Sequence, residues 1–482
     1  MRHRKLLSVA VATCALWGFA AQGASAQESE VTGLLRELVR INTSNPPGNE
    51  AAVAELLRAK LEPLGFQIDV IQTPTPNKAH FIARLKAAQP TEKPLLLAGH
   101  EDTVGVEAPL WTVDPFGAVV KNGFVYGRGT MDFKGGLAAF TVAAMRLARS
   151  GVALKRDVIL LAEADEEGGD YGTGWLAENH WDKIDAGVSL NEGGWIFKGA
   201  GGKPKLMGIT TIDKDSLSVT LATRGTSTHS SRPLPDSAIR RLVRALRRID
   251  GHETDVTLTP TARRYLKTWR TAFGGSTGRT IGKLLAAKRE KPQRRYARAL
   301  KNARYGELFN GLARNIFVPT IVESGFRANV LPGTAEATVN LRMLPGQRPR
   351  PLLRELARAI ADPKVKITPI TTGGRTVEEQ LDSFDERAKQ KPSNTGTDLY
   401  AALQRESLKQ WPGVRVTPAL FEAGTDAVPW RAKGIPVYGV YPYPIGLAEL
   451  QAMHGNDERI ALASLEQGTD MLTRVVQSVA AR

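Results

Sequence analysis

A histidine and an aspartate follow an apolar run that predicts a short buried strand. The run covers residues 94–98, and His100 and Asp102 come directly after it. In an extended chain, residues two positions apart point to the same side, so these two side chains should lie next to each other. Open α/β sheets place their ligands at the carboxyl ends of the strands. The pair is therefore a candidate for metal binding, with the carboxylate orienting the imidazole.

A second apolar run, over residues 157–164, ends in three consecutive acids at 165–167. Acids at the end of a buried strand are costly unless positive charge meets them. Packed carboxylates also raise each other's pKa, which suits a general base. Glu192 closes the next predicted strand in the same way. These acids are thus candidates for metal binding and proton transfer.

Two further segments carry the same kinds of ligand. Asp132 stands in a glycine-rich turn before a helix that opens at Gly135, and His454 stands in a turn before the last helix. The single cysteine is Cys14, so the rest of the chain has no thiolate to offer. Imidazole and carboxylate ligands without thiolates favour a catalytic, open zinc, manganese or cobalt site over a structural zinc site.

Together these segments resemble the co-catalytic zinc peptidases of the aminoacylase, carboxypeptidase G and acetylornithine deacetylase type. The resemblance extends over essentially the whole mature chain. It rests on His100-x-Asp102, the Gly-Arg-Gly turn before Asp132, the acids at 165–167, Glu192 and His454-Gly455. It implies a metallopeptidase or amidohydrolase with two divalent metal ions, zinc first and manganese or cobalt as alternatives.

The resemblance also implies a role for each residue. The implied metal ligands are His100 and Glu192 for one ion, Glu167 and His454 for the other, and Asp132 between them. Asp132 would bridge through a strained peptide to Phe133, and Asp102 would orient His100. Glu166 would be the general base, which takes a proton from the attacking water and carries it to the leaving nitrogen.

Residues 213–372 resemble the lid and dimerisation domain of the same family. His229 would stabilise the oxyanion, typically from the partner subunit of a homodimer, and Asn329 would help it. Arg342 would bind the free carboxylate of the substrate, for which a planar guanidinium is suited. Gly424 matches the family's late glycine-rich substrate loop.

The chain departs from the minimal family plan by an extra helical stretch at about residues 253–316. This insertion resembles the carboxypeptidase S and N-acyl-amino-acid hydrolase branch, as does the ending of the strand before Gly346. It leaves open whether the usual lid-to-lid dimer forms. Without that dimer, His229 would have no partner site to serve.

The elements that must position these residues alternate between strands and helices. Apolar runs at 157–164 and 186–190 predict buried strands, and the patterns at 29–41 and 135–150 predict helices. Such alternation predicts an α/β fold with a mostly parallel sheet covered on both faces. Over 213–372 the order becomes strand–helix–strand–strand–helix–strand, which is a ferredoxin-like α+β plan. The predicted divisions are a signal peptide at 1–26, a catalytic domain at 27–212 and 373–482, and an inserted lid at 213–372 that contains the helical insertion 253–316.

Residues 1–26 have the composition of a secretory signal peptide. A basic start at residues 2–5 precedes an apolar run that continues to Ala21, and Ala24-Ser25-Ala26 is a small-residue cleavage site. The run is shorter than the ~20 residues that a membrane span needs, and no later stretch is long and apolar enough. We expect an exported protein, periplasmic or secreted, with no transmembrane segment after cleavage.

The chain has 482 residues and a formal net charge of +16. Such an excess invites binding to nucleic acid or to a membrane. The excess is local, however: residues 279–304 hold ten basic residues and one acid, and residues 240–248 hold five arginines. We interpret these as solvated helix faces that attract anionic substrates or the cell envelope, and we expect no nucleic-acid partner.

The sequence therefore predicts an exported metal-dependent hydrolase that cleaves an amide bond next to a free carboxylate. A carboxypeptidase or dipeptidase acting on small peptides is the first interpretation. An N-acyl-amino-acid hydrolase of the aminoacylase or deacetylase type is the alternative, since both kinds of substrate present a carboxylate to Arg342. A non-catalytic basic protein that binds polyanions is a third, but it would predict that metal-binding residues are lost, and none is lost.

Overall fold

The structure is a computed structural model that describes residues 28–482. The predicted signal peptide, residues 1–26, lies outside the described residues. Within residues 28–482 no helix combines the length and the apolar character that a membrane crossing requires.

The secondary structure of the described residues follows the predicted alternation closely. The helices are α1 (Glu30–Arg40), α2 (Glu50–Leu61), α3 (Lys134–Ser150), α4 (Thr173–Asn179), α5 (Trp181–Ile184), α6 (Ala238–Asp250), α7 (Pro260–Phe273), α8 (Gly275–Ala286), α9 (Glu290–Lys301), α10 (Gly306–Ala313), α11 (Pro349–Ile360), α12 (Val377–Arg387), α13 (Asp398–Gln410), α14 (Val428–Ala432), α15 (Leu447–Ala452) and α16 (Leu462–Ala480). The strands are β1 (Gln67–Gln72), β2 (Ala79–Leu85), β3 (Leu95–His100), β4 (Val119–Lys121), β5 (Phe124–Tyr126), β6 (Val158–Glu163), β7 (Val188–Asn191), β8 (Ile196–Lys198), β9 (Pro204–Asp213), β10 (Asp215–Arg224), β11 (Thr228–His229), β12 (Ile316–Ser324), β13 (Val330–Leu331), β14 (Thr334–Met343), β15 (Lys366–Pro369), β16 (Arg415–Phe421), β17 (Val437–Gly439), β18 (Pro444–Ile445) and β19 (Arg459–Ala461).

The central sheet has ten strands in the order β1-β2-β6-β3-β7-β17-β9-β8-β18, with β16 pairing beside β9. Its middle strands β6, β3, β7 and β17 are parallel. Side chains alternate across the sheet, so Leu95 and Leu97 pack with α1, α3 and α16. Leu96 and Ala98 pack on the other face with α4, α5 and α14. Burial on both faces is the reason why these strands are continuous apolar runs.

The lid has a separate antiparallel sheet in the order β12-β14-β10-β15. With α6 and α11 it gives the strand–helix–strand–strand–helix–strand order predicted from the sequence. Its core is distinct from that of the central sheet and joins Val219 of β10 to Leu242 of α6 and Leu356 of α11.

Two segments pack differently from the sequence-based division. Helix α7 of the insertion packs on β9 and β16 of the central sheet, and α8–α10 complete the same core. Trp269 of α7 and Phe309 of α10 share this core with Phe197 of β8. Conversely, Leu381 and Phe384 of α12 belong to the core of the lid, although residue 373 was the predicted return to the catalytic domain. Each helix buries its apolar face against a core. Hydrophobic periodicity identifies that face but does not identify the sheet against which it packs.

Candidate metal centre and active site

His100, Asp132 and Glu192 form the more buried part of the candidate site, called here the buried half. His100 ends β3, and its Nε2 lies 3.2 Å from Asp132 Oδ1 and 3.6 Å from Glu192 Oε2. Potential ligand atoms of all three residues lie within 4.8 Å of one another, and all three residues are buried. Glu192 directly follows β7, the neighbour of β3, so two parallel strands bring these ligands to one edge of the sheet.

Asp132, Glu167 and His454 form a second group, called here the open half. His454 Nε2 lies 2.9 Å from Asp132 Oδ2 and 3.0 Å from Glu167 Oε1. The side chain of His454 is 45% exposed, whereas that of Glu167 is 11% exposed. Asp132 therefore faces both halves, with one carboxylate oxygen toward each. The structure brings together all five residues that the sequence proposed as metal ligands.

The Asp132 loop is fixed by a carboxylate that the sequence analysis missed. Glu458 accepts hydrogen bonds from the backbone N–H groups of Met131 and Asp132 at 2.7 and 3.2 Å. Arg128, the arginine of the Gly-Arg-Gly turn, pairs with the same carboxylate at 2.7 Å. The motif therefore serves to hold the loop that carries Asp132, and Glu458 is its partner from the other end of the chain.

The glycines of the motifs make room for Phe133, which is joined to Asp132 by a cis peptide bond. A Cβ built on Gly99 would lie 2.6 Å from the Phe133 ring, and one on Gly136 would lie 2.1 Å from it. The ring thus packs directly on the backbone of β3 and of α3, and larger residues would displace it. The helix-opening glycine pair has a packing role that its sequence pattern did not reveal.

Asp102 joins the two halves. Its backbone oxygen lies 3.0 Å from His100 Nδ1, while its carboxylate oxygen Oδ1 lies 3.6 Å from the same nitrogen. The carboxylate also accepts from the backbone N–H groups of Glu166 and Glu167, at 3.1 and 3.0 Å. Asp102 therefore orients His100, as expected, largely through its backbone, and it also holds the turn that carries the two glutamates.

The 165–167 turn has further support from two buried residues that carry no recognisable motif. Asn45 Nδ2 donates to Asp102 and to Asp165 at 2.8 and 2.7 Å. Lys78, which is 6% exposed, pairs with Asp165. Asp165 itself has a φ of 69°, in the left-handed region. The turn is held in this uncommon conformation by charge and hydrogen bonds from three separate segments.

Tyr441 is another residue that the sequence analysis missed. Its hydroxyl lies 2.7 Å from Asp132 Oδ1 and 3.1 Å from Glu192 Oε2, so it donates to the buried half. Its ring stacks on Trp195 with the centroids 4.3 Å apart. Its position shortly after β17, at the ligand edge of the sheet, is the signal that could have identified it.

The charges of the cluster fit divalent cations. In the described part of the chain, no lysine or arginine lies within salt-bridge distance of Asp132, Glu167 or Glu192. Burial raises the pKa of Glu192 to about 8. Although burial opposes it, hydrogen bonds with Asp132 and Glu167 raise the pKa of His454 to about 11. Both shifts reflect buried carboxylates that no lysine or arginine compensates, and divalent cations would balance this charge.

Glu166 lies beside the open half and is not among its ligands. Burial, the carboxylate of Glu167 and that of Glu192 raise the pKa of Glu166 well above its usual range. A raised pKa makes the carboxylate a stronger base, which favours acceptance of a proton. The general-base role of Glu166 stays a prediction of the sequence analysis.

A cavity of about 380 Å³ lies between the lid and the catalytic domain. Glu166, Glu167 and Gly424 line it from the catalytic side, and Arg342 of β14 lines it from the lid. Arg342 is half-buried, and its guanidinium has no ion pair or hydrogen bond within residues 28–482, although Glu166 and Glu167 act on it electrostatically. The cavity is therefore lined by the Arg342 guanidinium, which is available to bind an anion, and by the candidate base Glu166.

His229 lies elsewhere, on a two-stranded ribbon formed by β11 and β13, and Asn329 directly precedes β13. Both are exposed, and the hydrogen bond at His229 Nδ1 is to Ser231. Neither residue lines the cavity at Glu166. Within one chain, the structure does not bring this predicted oxyanion pair to the metal ligands.

Comparison with known proteins agrees with this geometry. The sequence profile of "Peptidase family M20/M25/M40" matches residues 96–478. The probable carboxypeptidase S-like 2 of Dictyostelium discoideum is 26% identical over 395 residues, which cover 80% of this chain and 72% of that protein. The N-fatty-acyl-amino acid synthase/hydrolase PM20D1 of Mus musculus is 26% identical over 466 residues, which cover 92% and 86%.

Among solved structures, the fold is similar to that of an M20 family metallo-carboxypeptidase, Sso-CP2 from Sulfolobus solfataricus. The TM-score is 0.68 at 18% sequence identity, and the match covers 94% of this chain and 99% of that one. At this identity the match concerns the fold alone. The expected α/β architecture is thereby confirmed.

Proposed function

The chain belongs to peptidase family M20/M25/M40 and is a metal-dependent hydrolase, and we propose that it is an exported enzyme that cleaves an amide bond next to a free carboxylate. One observation carries the proposal: two ligand groups share Asp132 beside Glu166, and Arg342 faces Glu166 across the same cavity. The metal ligands and the base would together carry out hydrolysis. The guanidinium would bind the carboxylate of the substrate.

The cations belong to the two ligand groups. His100 and Glu192 would hold one ion, Glu167 and His454 the other, and Asp132 both. When bound, the ions would acidify water and polarise the scissile carbonyl. We propose zinc, with manganese and cobalt as alternatives, because imidazole and carboxylate ligands suit all three.

The residues of this chain then divide the work of the reaction. Arg342 holds the carboxylate of the substrate, which places the amide bond over the ligand edge of the sheet. Glu166 takes a proton from the attacking water and delivers it to the leaving nitrogen, as its raised pKa favours. Asp102 keeps Glu166 and His100 in register through the bonds described above.

We propose a carboxypeptidase or dipeptidase acting on small peptides as the first substrate assignment. A carboxypeptidase S-like relative supports it. Hydrolysis of N-acyl amino acids is the second candidate, favoured by the longer match to an N-fatty-acyl-amino acid synthase/hydrolase. Both substrate classes carry the carboxylate that Arg342 would bind, so the site itself accepts either.

A substrate panel tests the proposal. Dipeptides, N-acyl amino acids and their carboxyl-blocked amides are assayed before and after chelation and after return of zinc, manganese or cobalt. We expect chelation to abolish hydrolysis, metal to restore it, and blocked substrates to react at least tenfold more slowly. Arg342→Ala should remove the preference for the free carboxylate, with Arg358→Ala on the lid surface as the control. Equal rates with free and blocked carboxylates would contradict the proposal.

We further propose a homodimer in which His229 serves the partner's site. Its support is the exposure of the β11–β13 ribbon and of apolar side chains near it: Val322 of edge strand β12 is 60% exposed and Phe326 is 78% exposed. Mixing Glu166→Gln and His229→Ala chains tests this, since one site of the mixed dimer would combine an intact Glu166 with an intact His229. Recovered activity supports the dimer, and two inactive parents that stay inactive when mixed contradict it.

Export is proposed from the composition of residues 1–26 alone. Fractionation of cells that produce the chain with and without these residues tests it. We expect the intact chain outside the cytoplasm with residues 1–26 removed, and the shortened chain inside. Retention of the uncleaved chain in the cytoplasm would contradict export.

A further inference from the structure

The helical insertion leaves the lid after α6 and returns to it at β12, yet α7 packs on the central sheet and the other helices share that core. The chain therefore passes between the lid and the catalytic core twice more, in addition to the segments where the lid begins and ends. Both ends of the insertion meet at one place. Arg314 Nη1 donates to Thr254 O at 2.7 Å, and Thr254 Oγ1 donates to Asn315 O at 2.7 Å. The two ends are therefore tied to each other.

Lys214 lies at the same place, between β9 of the central sheet and β10 of the lid. It is 1% exposed, and its Nζ donates to Gly311 O at 3.0 Å and Arg314 O at 2.7 Å. Gly311 belongs to the last turn of α10, so the ammonium caps the carbonyl end of that helix. Within residues 28–482 no carboxylate lies within salt-bridge distance of Lys214. The hydrogen-bond partners of the ammonium thus belong to the insertion, whereas the backbone N–H of Lys214 lies 3.1 Å from both Phe421 O and Ala423 O of the catalytic domain.

The other lid strand that approaches this place is β14. Leu344, the residue after it, donates its backbone N–H to Asn315 Oδ1 at 2.8 Å. Leu344 packs in the core of the central sheet and the insertion, whereas its neighbour Met343 packs in the core of the lid. The end of β14 is therefore anchored to the insertion at the point where the two cores meet.

Arg342 of β14 is two residues before Leu344, and it lines the same cavity as Glu166. Lys214 lines this cavity as well. Any rotation of the lid about its connections would move Arg342 relative to Glu166, which sits on the catalytic domain. Lys214 and Asn315 each hold one lid strand, β10 and β14, to an insertion that is packed on the catalytic side.

We propose that Lys214 and Asn315 are positioning residues: through them the insertion fixes the angle of the lid and holds Arg342 opposite Glu166. The inference rests on the proposed function in one respect, because it takes Arg342 as the group that binds the substrate's carboxylate. If the lid is fixed, the carboxylate site is already formed before the substrate binds. The protein then loses little flexibility on binding, which favours a low KM.

Kinetics of paired variants provide the first test. Asn315→Leu removes the acceptor for Leu344, whereas Asn315→Asp retains it and serves as the matched control. Lys214→Met removes the ammonium, and Arg295→Met removes an exposed charge from the same insertion. We expect Lys214→Met and Asn315→Leu to raise KM for carboxylate substrates about tenfold with a smaller change in kcat. The two controls should behave like the wild type, and carboxyl-blocked substrates should show little change.

A distance measurement provides the second test, and the sequence makes it simple because Cys14 is the only native cysteine. Spin labels are placed by Lys121→Cys on β4 and Arg358→Cys on α11 in the Cys14→Ser chain; both positions are exposed. We expect one narrow distance distribution in the parent and with Asn315→Asp. Lys214→Met and Asn315→Leu should broaden it.

The outcomes separate the two proposals. If folded Lys214→Met and Asn315→Leu proteins keep the narrow distribution and the wild-type KM, the inference is overturned. Equal losses on free and blocked substrates would likewise overturn it, because they indicate general damage to the fold. If Arg342→Ala leaves KM for carboxylate substrates unchanged, the proposed carboxylate recognition fails, whereas the distance measurement still decides whether the insertion fixes the lid.

Discussion

The two halves of the metal cluster share Asp132 but differ in how they are built. His100 and Glu192 of the buried half end adjacent parallel strands and are almost inaccessible, whereas the open half takes Glu167 from a turn and the 45% exposed His454 from a loop. The strand ends are fixed by the sheet itself, and the loops are fixed by hydrogen bonds from elsewhere. We therefore expect the buried half to retain its ion more tightly. We expect the open half, which lies beside Glu166, to be the one that water and substrate reach.

The largest effect should come from the residue that stands beside the open half without binding metal. In Glu166→Gln we expect kcat to fall about 10³-fold, because proton transfer is lost while the ligands remain. Metal analysis of the purified variant should still find two ions per chain. Retained activity, or loss of an ion, would show that Glu166 is not a base distinct from the open half.

The halves themselves can be separated by parallel histidine variants. Removal of a direct ligand should lower the affinity for its ion. The loss should exceed the roughly 10- to 100-fold that follows removal of a residue hydrogen-bonded to a ligand. We expect His454→Ala to retain one ion per chain and the wild-type melting temperature. His100→Ala should instead melt at a lower temperature, because it leaves buried carboxylates uncompensated. Metal titration and thermal unfolding measure both, and identical behaviour of the two variants would remove the distinction.

Lys78 tests whether the open half depends on its supporting hydrogen bonds. Lys78→Met breaks a buried ion pair with Asp165, so the free energy of unfolding should fall by about 3–5 kcal/mol. The affinity of the open half should also fall, by about 10- to 100-fold, while the buried half keeps its ion. Lys60→Met is the control, since the pair of Lys60 with Glu37 is more exposed and is expected to contribute below about 1 kcal/mol. Equal destabilisation by both variants would contradict the assignment.

Tyr441→Phe should have the smallest effect, confined to the buried half. The ring and its stacking on Trp195 remain, and only the hydroxyl that donates to Asp132 and Glu192 is removed. We expect about tenfold weaker metal binding at the buried half, the lower end of what outer partners contribute. Competition with a chelator of known affinity measures it. A loss at the open half instead would show that the two halves are more strongly coupled than their geometry indicates.

Much of the fold could be predicted because its strands are buried on both faces. The apolar run before His100 became β3, and the one before the acids at 165–167 became β6. The insertion was also predicted as a helical segment, but its packing partner was not. The apolar residues of α7, such as Trp269, would read the same whether they covered the lid or the central sheet. Amphipathic periodicity gives the face and leaves the partner undetermined.

The sequence by itself determined the types of ligand and their places at the ends of strands, because chain direction and residue order fix which side chains reach the carboxyl edge of a parallel sheet. Only the tertiary structure decided what lies around them. Glu458 and Tyr441 reach Asp132 from more than 300 residues away. The ammonium of Lys214 donates to Gly311 O of the inserted helix α10. Arg342 of the lid and Glu166 of the catalytic domain line one cavity between the two domains. Such contacts depend on packing between distant segments, and local patterns carry no information about that packing.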